Sequence, residues 1–351
     1  MSNKQPLLSI IIAVYNTGGE QAGKVLYNCL DSILIQKFNS ELLEIVCVND
    51  GSTDDSLSTL KNYANKYKNI VLVDQKNTGV GGAKNSGINN ASGKYLWFIN
   101  SDDCIKNGSI DCILRMLNDF MPDIIRVKIK NISEDIFDFK KVIKLKKFSY
   151  QQLHNFIEPP SDDVTSIIRS DIINDNNIRF LPNTVYHSDR LLFVQYFLNI
   201  NSDRRFLINE TVYLRRQRAI SETGKVSFSI KAKNQYVKDS IIMAEEYKKI
   251  LDNNNIIDLN LKNFIQSQQY FFTEVAIVSI PSSSFNKKNV VKHLKFIGVY
   301  PYPFLWQNLK NADGFLNFII VLIKCFLKFN IIYNVYYLLQ VIRNKITKKI
   351  K

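Results

Sequence analysis

The oxygen-bearing side chains of this sequence gather where apolar runs end. "KYLWFIN" leads into Asn100, Ser101, Asp102 and Asp103, "LEIVCVN" into Asn49, Asp50 and "GSTDDS", and "LLSIIIAVY" into Asn16. Each run has strand length and continuous apolarity, the pattern of a parallel strand covered on both faces. In open α/β sheets ligands bind outside the carboxyl ends of the strands. Three such ends carrying carboxylates, amides and hydroxyls therefore describe one site rich in hydrogen-bond acceptors. Any one of them alone would be turn chemistry, where Asp and Asn are common.

These ends need a scaffold. Strands are expected over Leu7–Tyr15, Leu43–Asn49, Ile70–Asp74 and Lys94–Asn100. Between the first two, Leu26, Cys29, Leu30, Ile33 and Leu34 fall on one helix face. "STDDSLSTLKNYANKY" opens on capping residues and turns helical. "GVGGAKNSGINNASG" sets glycines before a short helix that Gly93 closes. Strand and helix alternating at this spacing make a doubly wound α/β half. Further on, the sequence predicts a strand over Asp123–Lys130, a loop at "EPPSDD", a helix over Ser188–Leu198 and a strand over Arg205–Gln217. Pro159 and Pro160 bar a helix from that loop. After Gly224 the pattern is helical to the end, and no internal repeat is evident.

With 351 residues, 46% of them apolar, the chain can build a sizeable core. The abundance of Asn, Ile and Lys reads as AT-rich base composition. Five cysteines without a C-x-x-C pair, and three histidines, argue against a thiolate metal site or a disulfide framework. They fit a reducing cytosol. The N-terminus has neither the charged start nor the small-residue cleavage site of a signal peptide, and reads directly into a strand.

Charge is uneven. From Pro281 onward there are twelve basic residues and one acid, Asp313, or +11 of the total +14. Such a segment suits an anionic partner, a membrane surface or a nucleic acid. Its uncharged window, Phe329 to Ile342, has fourteen residues, short of the ~20 that span a bilayer. Phe315 to Leu327 is apolar nearly all round, as in a buried helix or an interfacial membrane helix flanked by snorkelling lysines. Apolar richness without zinc or turn motifs argues against nucleic acid.

Taken in order, "SIIIAVYN", "CLDSILIQ", "EIVCVNDGSTDDS", "NTGVGGAKNSGINNASGKYLWFINSDD", "HSDRLLF" and "YLRRQRAIS" resemble the family-two inverting glycosyltransferases, which have the GT-A fold. The resemblance covers roughly Leu7 to Ser221. It implies a catalytic domain over 1–222, with nucleotide-sugar binding in 1–105 and the acceptor side in 106–222, and a helical, basic region over 223–351. By the same likeness Asp50 binds uracil. A carboxylate accepts the hydrogen on uracil N3 and refuses cytosine, whose N3 is itself an acceptor. Ala13, Tyr15 and Asn16 line the nucleotide pocket. Asp102 binds Mn²⁺ or Mg²⁺, hard ions that take oxygen ligands, with Asn100 and Ser101 beside it on the donor. Gly79, Gly81 and Gly82 allow the donor close to the backbone, Lys84 lies near the diphosphate or sugar, and Arg218 and Ser221 close over the diphosphate. Asp189 is the general base for the acceptor hydroxyl.

Two positions depart from the family pattern. Asn100 replaces the first acid of Asp-x-Asp, removing one negative charge. Ser188 replaces the acid beside the base, removing one influence that raises its pKa. Bland alternatives stand beside each role: a turn or cap for Asp50, a core ring for Tyr15, a solvated turn acid for Asp102, a solvent-facing Lys84 and a helix cap for Asp189. His187 is a rival base, and Asp103 is read as shaping its loop. The implied activity moves a hexose or N-acetylhexosamine from a UDP-sugar to a growing bacterial surface glycan, on a polyprenyl diphosphate carrier at the cytosolic membrane face. The two missing acids also fit a non-catalytic nucleotide-sugar-binding subunit.

Overall fold

The computed structural model describes residues 5–17, 25–133, 145, 147–154, 158–200, 202–217, 229–253, 256–278 and 284–296. Two compact units divide the chain, Met1–Ser221 and Glu222–Lys351.

The first unit is built on a nine-stranded sheet in the order β3-β2-β1-β4-β8-β6-β9-β5, with β7 on β9. Strands β1 (Leu8–Val14), β2 (Leu43–Asp50), β3 (Ile70–Gln75) and β4 (Tyr95–Asn100) pair in parallel. Their bounds fall within a residue or two of those read from the apolar runs. Strands β1 and β2 are covered on both faces, as continuous apolarity requires. Strand β3 is an edge strand and only half-buried. Helices α1 (Val25–Leu34), α2 (Ser56–Lys66) and α3 (Gly79–Asn90) make the crossovers. Helix α1 buries Leu26, Cys29, Leu30 and Ile33, the face that the spacing predicts.

After β4 come β5 (Cys104–Ile105), α4 (Ser109–Phe120), β6 (Ile124–Ser133), β7 (Tyr150–Gln152), β8 (Ser166–Arg169), α5 (Ser170–Asp175), α6 (Ser188–Phe197) and β9 (Arg205–Gln217). Strand β9 has the bounds that the sequence predicts. Strands β5, β7 and β8 escape sequence reading because two to four residues carry no period. The expected loop at Glu158–Asp163 runs into a single 3-10 turn, Asp163–Thr165, capped by the Asp162 carboxylate.

Strand direction decides what meets what. Strand β1 lies between β2 and β4, so the sheet reverses its winding there. Strand β8 runs antiparallel to β4 and β6, and β9 parallel to β6. The carboxyl ends of β1, β2, β4, β6 and β9 therefore share one edge with the amino end of β8.

The second unit holds α7 (Ile230–Asn253), α8 (Leu259–Val278) and α9 (Lys287–Phe296). Tyr247 and Phe272 stack between α7 and α8 with centroids 5.6 Å apart. No helix among the described residues is long and apolar enough to cross a membrane. The expected tail helices within 315–342 lie outside the described residues.

Candidate active site

Asp50 ends β2 and is buried. Its Oδ1 accepts three hydrogen bonds, from Gln75 Nε2 (2.8 Å), the Thr78 amide (2.9 Å) and the Thr78 hydroxyl (3.1 Å). Its Oδ2 has no protein partner among the described residues. Thr78 is the N-cap of α3, yet its hydroxyl serves Asp50 rather than the helix. Asn77 Nδ2 donates to the Asp50 carbonyl at 3.0 Å. Gly51 makes this contact possible: its φ is +70°, and a Cβ there would lie 2.8 Å from the Asn77 amide. The carboxylate is thus fixed, with one oxygen left for a ligand.

Beside it, Ala13 is half-buried and pairs in register with Val48 and Asn100. Tyr15 is 51% exposed, which removes the core-ring alternative. Asn16, at φ 51°, ties the end of β1 to that of β2: its Oδ1 accepts from the Thr53 amide at 2.8 Å, and its own amide donates to Ser52 Oγ at 3.1 Å.

At the end of β4, Asp103 is buried and accepts from the Tyr213 hydroxyl (2.6 Å), the Arg216 amide (2.8 Å) and Asn100 Nδ2 (3.1 Å). Burial and the neighbouring Asp102 push its pKa up to about 6, against the pull of these donors. Asp103 thus fastens the Asn100–Asp103 turn to β9. Asn100 spends its amide nitrogen there, and its Oδ1 has no protein partner among the described residues. Ser101 is buried and Asp102 half-buried in the same turn. Arg216 Nε reaches the Asp102 carbonyl at 3.2 Å. Asn100 Oδ1 and the Asp102 carboxylate are a hard, all-oxygen donor pair, which fits Mg²⁺ or Mn²⁺.

A second cluster was not legible in the sequence. The carboxylates of Asp162, Asp163 and Asp189 lie within 4.8 Å of one another. Asp163 forms an ion pair with Lys84, and Asp162 one with Arg215. Lys84 is therefore buried rather than solvent-facing, with its ammonium 5.4 Å from the Phe180 ring centroid. Burial works against its charge, but Asp163 outweighs that and raises its pKa. Helix α3 also holds the approach to α6. Asn85 exchanges two 2.9 Å hydrogen bonds with the Phe180 backbone, and Gly81 faces the Leu181 carbonyl, which a Cβ would approach to 3.1 Å. Gly82 likewise makes room for Thr78, so of the three glycines only Gly79 has open space above it.

The acids Asp162 and Asp163 precede a four-residue strand, where no periodicity marks them. Their position follows from β8 running against β4, and Trp97 on β4 locks it, its Nε1 donating to the Val164 carbonyl at 2.9 Å.

Asp189 lies in the first turn of α6 and, among the described residues, accepts only from the next amide, of Arg190, at 2.9 Å. The N-cap is His187, at φ 70°, so Asp189 does not cap the helix. Burial, then Asp163, pushes the Asp189 carboxyl up to about 7, with Lys84 opposing. The charge that Ser188 lacks thus arrives from a different element. Burial and Arg190 push His187 down to about 4. Of the two, Asp189 is the better proton acceptor near neutral pH. Arg218 and Ser221 lie outside the described residues.

Residues 9–176 match the family described as Glycosyl transferase family 2. The glycosyltransferase GlyA of Streptococcus pneumoniae is 36% identical over 117 residues, 33% of this chain and 16% of that protein. This chain thus spans a small part of that relative. Among solved structures, residues 1–349 of Staphylococcus aureus TarS in complex with UDP-GlcNAc superpose with TM-score 0.50 at 19% identity, over 79% of this chain and 83% of that one. The mannosyltransferase PcManGT of Pyrobaculum calidifontis, with GDP-Man and Mn²⁺, gives TM-score 0.52 at 13% identity, over 96% and 85%. At these identities the likeness is one of fold, the GT-A type that the ordered motifs imply. Residues 9–176, with their strand-end acids on a GT-A sheet, thus form a domain that matches glycosyl transferase family 2.

Proposed function

We propose that the protein is an inverting glycosyltransferase that moves a hexose or N-acetylhexosamine from a UDP-sugar to a hydroxyl of a growing, lipid-linked bacterial surface glycan. One observation carries this reading: a continuous belt of polar contacts along one sheet edge. It runs from Asp50 through Thr78 and α3 to Lys84, Asp163 and Asp189, then through Asp162 and Arg215 to β9, and back through Arg216 to the Asn100–Asp103 turn. Solved proteins of this fold hold either UDP-GlcNAc or GDP-Man, so the fold leaves the nucleotide open. Asp50 favours uracil, because its remaining oxygen is an acceptor for N3–H.

Each residue then has a task. Asp50 orients the base, with Ala13, Tyr15 and Asn16 beside it. Asn100 and Asp102 would hold Mn²⁺ or Mg²⁺, which when bound neutralises charge on the departing diphosphate. Asp189 takes the acceptor hydroxyl's proton as its oxygen attacks the anomeric carbon opposite the leaving diphosphate, and one in-line displacement inverts that carbon. The basic segment from Pro281 onward gives a foothold on the anionic inner membrane face.

A thermal-shift panel tests the reading: UDP, dTDP, GDP and CDP, each with Mn²⁺ and with chelator. At a hundred times its dissociation constant UDP adds about 2.7 kcal/mol, a shift of several degrees. Stabilisation by UDP alone, lost with chelator and in Asp102→Ala, supports these assignments and opens a screen of UDP-sugars. No shift with any nucleotide sinks them. Turnover that Asp189→Asn abolishes separates an enzyme from a binding subunit.

A further inference from the structure

The charges around Asp189 alternate in sign. Lys84 holds Asp163, Arg215 holds Asp162, and both acids face Asp189. Lys84 comes from α3, Arg215 from β9, the two acids from the turn before β8, and Asp189 from α6. Four elements, α6 among them, thus contribute to one charged cluster. The Lys84–Asp163 pair is the deeper one, with side chains 10% and 4% exposed, so water screens its field little. Each member sits on a segment with further contacts. Trp97 and the Asp162 cap hold the turn, while Phe180 and the Asn85 clamp hold Lys84 and the segment leading to α6. Next to Asp189 in sequence stand uncharged Ser188, Arg190 and neutral His187. With two cations against three acids, the cluster keeps one negative charge.

Resting on the transferase reading above, we propose that Asp163 and Lys84 are positioning residues for Asp189. Bound to each other, they set the field in which that carboxylate accepts the hydroxyl proton, and neither touches the proton. Because the pair is balanced, breaking it from its two sides must act in opposite senses. Asp163→Asn removes a negative neighbour and leaves the lysine charge uncompensated, which favours the Asp189 anion. Lys84→Met leaves Asp163 uncompensated, which holds the proton on. The double variant restores neutrality.

The test follows Asp189 in the full chain in two ways: the acid limb of kcat against pH, and carboxyl ¹³C NMR titration without substrate. The midpoint should fall by about one pH unit or more in Asp163→Asn, rise by as much in Lys84→Met, and return toward wild type in the double variant. Asp162→Asn, at the more exposed Arg215 pair, should shift it downward by less and serves if Asp163→Asn does not fold. A purely structural role lowers kcat in all variants without opposed movement. Midpoints that stay put, or move the same way in both single variants, overturn the proposal. Opposed NMR shifts in a protein that turns over no sugar nucleotide overturn the transferase reading instead and leave the electrostatic coupling standing.

Discussion

Asp189 carries a carboxylate whose charge costs stability. Its folded pKa is raised to about 7, whereas an unfolded Asp titrates at about 3.9. The unfolded state therefore sheds its proton first. The stability associated with the protonated form is complete below about pH 4 and is lost as pH rises through about 7. Asp189→Asn, which stays neutral, should melt higher than wild type at pH 8, with the two curves converging near pH 4. The same variant should lose turnover by about 10²–10⁴-fold. A variant that melts lower at pH 8 would mean that the carboxylate is not under that strain. His187 works in the other sense: its imidazole is held neutral down to about 4, so its contribution fades as pH falls below its ordinary value of about 6.5.

At the scale of elements, short connections fix the site. Gly51→Ala meets a positive φ and the Asn77 amide 2.8 Å away. Left-handed backbone alone costs an L-residue about 1–2 kcal/mol. Asn77 and Thr78 hold Asp50, so the variant should lose both stability and UDP affinity, read by denaturant titration and thermal shift. Trp97→Phe should act at the other end of the belt. It strips the partner from the Val164 carbonyl, at a cost of about 1–3 kcal/mol, and loosens the turn that carries Asp162 and Asp163. There kcat should fall more than UDP affinity does. Equal losses in both would place the turn's influence on the donor instead.

For the whole molecule, charge is the lever. The segment from Pro281 onward carries +11, and basic residues near an anionic surface contribute about 1 kcal/mol each at low salt. Full-length protein should sediment with anionic vesicles and be released by salt, and truncation at Gly314 should abolish this. Persistent binding by the truncated chain would move the foothold elsewhere.

Local order explains what could be read from the chain unfolded. Apolar runs without alternation marked β1, β2 and β4, and the acids that follow the last two runs marked Asp50 and Asp102 as candidates, because the carboxyl end of a strand follows its apolar residues directly in sequence. Long-range pairing carried no such mark. Asp162 and Asp163 come before a strand, not after one, and belong to this edge because β8 runs against β4. Lys84 meets Asp163 across 79 positions, and Trp97 meets Val164 across 67. A short run of residues encodes its own period and caps. Which acid faces which cation depends on strand direction and register, and these are set only when the sheet closes on a shared core.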